Sequence, residues 1–111
     1  MNRIEYYKKK IQRYFDVIQK FIESDRKDVE EMIKKTEDMD VNHSFKDILF
    51  TINNIDEQSR LYYTGSLVTE NEISLQKTFT ELMYITELID IVNLRLSVIE
   101  SRLKLEDEYG A

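Results

Sequence analysis

Side chains able to do chemistry are sparse in this sequence, and those present fall in short charged groups. Asp38, Asp40 and Asn42 alternate as the first ligands of a calcium loop do. The sixth position of such a loop turns sharply on Gly and the twelfth supplies a bidentate Glu; here they are His43 and Leu49. A polar stretch ahead of a helix explains these residues better. Glu87 and Asp90 are three apart, which puts both carboxylates on one helix face. Magnesium would need a matching acidic pair on a facing helix, and the sequence offers none. His43 is the only histidine. With Asp47 it makes half a metal site, and no second imidazole or thiolate is there to complete it. The chain has no cysteine, no Gly-rich phosphate loop, and no serine with a histidine and carboxylate in support. These residues predict no catalytic group, no metal ligand, no cofactor and no enzymatic activity.

One basic group stands out. Tyr6-Tyr7-Lys8-Lys9-Lys10, followed by Arg13 and Tyr14, interleaves aromatics and cations as some nucleic-acid binders do. Lys8, Lys9, Lys10 and Arg13 are therefore the candidate contacts to an anionic partner. Tyr7 and Tyr14, however, lie on the apolar stripe of their own helix, which leaves only the cations for a ligand. The protein is acidic as a whole, with a net charge of −6, and nucleic acid is a disfavoured partner. The charge is unevenly spread. Residues 1–27 hold eight Lys/Arg against four Asp/Glu, and residues 28–111 hold eight against eighteen. Such a body could seat a basic partner or pair with itself, although solvated helix faces account for most of it.

The elements that carry these residues are helices. There is no proline, and glycine occurs only at 65 and 110; β architectures rich in turns need many more such residues. Ile4, Tyr7, Ile11, Phe15, Ile18 and Ile22 recur at threes and fours. Val29, Met32, Ile33 and Thr36 resume the same phase beyond the charged stretch Ser24–Asp28. Either one helix reaches about Asp38, or the chain breaks at Ser24 or Asp25; the preserved phase favours continuity. Asp38 to His43 reads as a connection, with Ser44 as the cap of a second helix. Phe45, Ile48, Leu49, Ile52, Ile55 and Tyr62 form its stripe. Gly65 suits its end, and Thr69 with Glu72 has the spacing of a capping box for the third helix.

That third helix, about 70–107, organises the rest. It carries Leu75, Leu82, Ile89, Leu96 and Leu103 at every seventh position, with Ile85, Val92 and Ile99 between them. A flanking stripe of Tyr84, Leu88, Ile91, Val98 and Leu105 is interrupted by Arg95 and Arg102. A helix with two apolar faces has neighbours on two sides.

The sequence thus predicts one all-α domain over 1–111, an antiparallel bundle of three or four helices with a long C-terminal one. The middle helix, capped at Ser44 and closed at Gly65, would cover only about half the length of its neighbours. On that reading either the first helix folds back at Ser24–Asp28 to cover the remaining seam or, as the favoured alternative, a second chain covers it, with Leu82, Ile85, Ile89, Val92, Leu96, Ile99 and Leu103 as the interface. The expected function is a self-associating interaction module, a small adaptor or assembly factor most simply acting as a homodimer or binding another protein. Two alternatives stay open: an acidic phage-type inhibitor that occupies a basic surface of its target, and a nucleic-acid binder using the first helix. No apolar run is long enough to span a bilayer, and the first residues lack the apolar core of a signal peptide. The expected location is the cytoplasm.

Overall fold

The computed structural model describes the backbone of residues 2–109 and the side chains of residues 2–104. Three helices make up the described chain: α1, Arg3–Lys35; α2, Met39–Val68; and α3, Glu72–Tyr109. All three pack on one another in a slender body of 61 × 18 × 16 Å.

α1 runs unbroken through Ser24–Asp28, where Asp25 and Arg26 meet partners on the two neighbouring helices. Arg26 donates to Asp56 of α2 at 2.9 Å. Asp25 faces Asn93 of α3, whose amide nitrogen, turned toward it, donates to both carboxylate oxygens at 3.1 and 2.6 Å. Burial, followed by the charge of Asp28, pushes the Asp25 carboxyl up. Ile22 and Val29 stay buried on either side. At its start, the Asn2 side chain accepts from the Glu5 N–H at 2.8 Å. Lys34 and Lys35 lie in the last turn, where cations favour the negative end of the helix.

α2 is longer than its sequence suggests at both ends. Asp38, not Ser44, caps it, accepting from the N–H groups of Asp40 and Val41 at 2.9 and 3.1 Å. Ser44 lies inside the helix, its hydroxyl donating back to the Asp40 carbonyl. Gly65 does not end the helix either, since α2 continues to Val68. Two side chains bond backward in its last turns: Ser66 to the Tyr63 carbonyl at 2.6 Å, and Thr69 to the Gly65 carbonyl at 2.7 Å. The capping box expected at Thr69 and Glu72 does not form. Asn71 caps α3 instead, accepting from the Ser74 N–H at 3.0 Å, while its carbonyl accepts from Leu75.

With helices of 33, 30 and 38 residues, the lengths are about 50, 45 and 57 Å. Polar contacts join the helices: Lys8 meets Glu70 and Arg26 meets Asp56, while Arg3 meets Glu72 and Tyr7 meets Gln76. The core is apolar apart from Ser59 and Ser66, whose hydroxyls donate to the Asp56 and Tyr63 carbonyls. Ile11, Ile18, Ile22 and Val29 meet Phe45, Ile48, Ile52 and Ile55, and both sets meet Leu75, Leu82, Ile85, Ile89, Val92 and Leu96.

This packing relocates the seam. Leu82, Ile85, Ile89, Val92 and Leu96 are buried within the single chain, and Ile99 and Leu103 are half-buried against the core. The residues that α2 adds ahead of Ser44 bring Val41 beside Ile99 and Leu103. Five of the seven residues expected at a chain–chain interface thus lie in the interior of the single chain, and Ile99 and Leu103 flank it.

Candidate interaction surface

The apolar residues left outside the core mark the surface best suited to a partner. On α3, Tyr84, Ile91 and Val98 follow one another at sevens, so they share a line on the helix face turned away from the core. All three are exposed, Ile91 by 54%, and Leu94 beside them by 65%. The side chain of Leu105, which continues the stripe in the sequence, lies outside those described. On α2, Phe50 is exposed by 68% and Leu61 by 66%. Their eleven-residue separation is three helical turns, which puts both on one side of α2.

Between the two helices runs an open groove of about 540 Å³, floored by Ile55, Ile85 and Val92, with Leu61, Leu88 and Ile91 along its sides. Glu57 and Arg95 also line it. The groove exists because α2 and α3 touch each other less extensively than either touches α1. Across the other seam, α1 and α2 are joined by a polar cluster. Asp56 accepts from Arg26, Gln19 and Arg60 at 2.9 to 3.1 Å, and the buried Ser59 hydroxyl accepts from Gln19 and donates to the Asp56 carbonyl. Burial pushes the Asp56 carboxyl up, but the hydrogen bonds from Arg26, Gln19 and Arg60 outweigh it and hold the group below the usual carboxylate range. Nothing in this cluster is left over for a ligand.

The four N-terminal cations do not form one patch. Lys8 is tied to Glu70 at 2.9 Å and reaches the Leu67 carbonyl. Lys10 lies over the rings of Tyr6 and Phe79, with its ammonium 4.8 and 5.1 Å from their centroids. Lys9 and Arg13, four apart, share the outer side of α1 and are exposed. Tyr7 and Tyr14 pack against the core, and Tyr14 meets Phe79 edge to face. The acidic candidates are similarly dispersed. Asp38 is spent on the cap of α2, and His43 stands 3.7 Å from Asp47 on an exposed turn of it. Glu87 and Asp90 are exposed on α3. Among the described residues, no three His, Asp or Glu side chains gather as a metal site would require. Among them too, no helix is long and apolar enough to cross a membrane.

Phe50 and Leu61 escape a reading of the sequence because they fall out of phase with the α2 core stripe. Their shared eleven-residue spacing is the signal that reveals them. The α3 stripe is visible directly. Comparisons with protein-family models, with curated proteins and with solved structures find no match.

Proposed function

We infer that this protein is a non-enzymatic helical interaction module that self-associates through the exposed face of α2 and α3. The observation that carries the reading is the coincidence of an open apolar groove with exposed large side chains on both its walls. An antiparallel, up-down-up bundle is a rigid scaffold for such a face. The core seam is already satisfied, so truncating a residue of the outer face need not disturb the fold. Isolated exposed apolar residues are ordinary on monomers, but a groove flanked by several of them suits a contact surface. Burying Phe50, Leu61, Tyr84 and Ile91 would each contribute on the order of 1.5–3 kcal/mol if burial were complete.

Size-exclusion chromatography with light scattering tests the reading on Leu61→Asp and Ile91→Asp, with circular dichroism to verify the fold. The expected result is a dimer for the unmodified protein and helical, folded monomers for both variants. A monomeric unmodified protein at high micromolar concentration would refute it.

A further inference from the structure

Building on that self-association, we propose that the second copy lies antiparallel across a twofold axis that passes through Ile91. The charges on α3 are arranged for it. Glu87 and Arg95 are each four residues from Ile91, on opposite sides, and both are exposed. Among the described residues neither makes an ion pair within its own chain. Tyr84 and Val98 are each seven residues from Ile91, again on opposite sides, and both are exposed and apolar.

A twofold axis at Ile91 perpendicular to α3 exchanges the two halves of this pattern. Glu87 then faces Arg95 of the partner subunit, and Arg95 faces Glu87 of the partner subunit. Tyr84 packs on Val98 of the partner subunit, and Ile91 meets its own copy. An isologous contact requires this kind of self-complementary patch. A parallel pairing would instead set Glu87 against its own copy and Arg95 against its own, and like charges face to face oppose association. α2 conforms to the same centre. Phe50 and Leu61 lie five residues before and six after Ile55, which lines the groove with Ile91.

The chain has no cysteine, so single Cys substitutions report the register without interference. In Ile91→Cys the two thiols lie on the axis, and a short bismaleimide should join two chains into a covalent dimer. Tyr84→Cys alone should not cross-link, because seven residues on either side of the axis separate its copies by about 21 Å. A mixture of Tyr84→Cys with Val98→Cys should cross-link as the mixed dimer. Charge reversal gives a second readout that needs no cross-linker. Glu87→Arg and Arg95→Glu should each weaken the dimer by at least about tenfold in Kd, and the double variant should recover it.

A dimer in which Tyr84→Cys and Val98→Cys each cross-link to themselves would overturn the antiparallel register while leaving self-association standing. So would a dimer in which Ile91→Cys stays uncross-linked and the double reversal gives no recovery. A protein that is monomeric throughout would remove both the register and the functional reading on which it rests.

Discussion

Asp56 ties α1 to α2, and its contribution is separable by pH. Its carboxylate accepts from three donors on two helices, so removing it strips the Arg26 guanidinium of its ion pair at a half-buried seam, leaving it Asn53, while Gln19 keeps Ser59 and Arg60. Asp56→Ala should cost about 1–3 kcal/mol in denaturant unfolding at neutral pH. The folded-state pKa is depressed relative to the ordinary 3.8. The stabilisation is therefore fully present above that value and is lost as pH falls from it through the lower folded-state pKa, where the unfolded chain binds the proton first. Unfolding measured over an acid series should show a slope that Asp56→Asn lacks. At the next loop, Asn71→Ala should cost about 1 kcal/mol, because Asn71 supplies the α3 cap, whereas Thr69→Ala should cost less. Equal losses at the two positions would contradict the cap assignment.

At the scale of elements, the heptad of α3 and the stripe of α1 were legible because long amphipathic periodicity leaves few alternatives. The ends of α2 were not. Ser44 and Asp38 are both good caps; only the backbone path decided that Asp38 takes the role and Ser44 bonds within the helix. Gly65 suggested a helix end, yet a glycine is tolerated inside a helix, and α2 simply carries it to Val68. Because that site is helical and no atom beyond the adjoining backbone of its own helix and its two chain neighbours lies within 4 Å of where a Cβ would stand, Gly65→Ala should stabilise the protein by about 0.5–1 kcal/mol. Thermal unfolding checks the sign. Packing against α1 and α2 sets which α3 residues are interior. Leu82→Ala should cost about 2–5 kcal/mol, while Leu94→Ala should change stability by no more than about 0.5 kcal/mol. Comparable losses would mean that the two faces of α3 have been exchanged.

For the whole molecule, the expectation of self-association rested on a seam that turned out to be filled by α1 and α2. The proposed contact surface lies on the opposite side of the same helix, where Tyr84, Ile91 and Val98 form a second stripe in the sequence. Phe50 and Leu61 were hidden because their phase differs from that of the core residues around them, and only the packed arrangement of α2 beside α3 joins them to that stripe. Sedimentation equilibrium on the unmodified protein over micromolar concentrations tests the central claim most directly. Self-association through α2 and α3 predicts a mass that rises to twice the 13.4 kDa of one chain; a single species of 13.4 kDa over the whole range would contradict it.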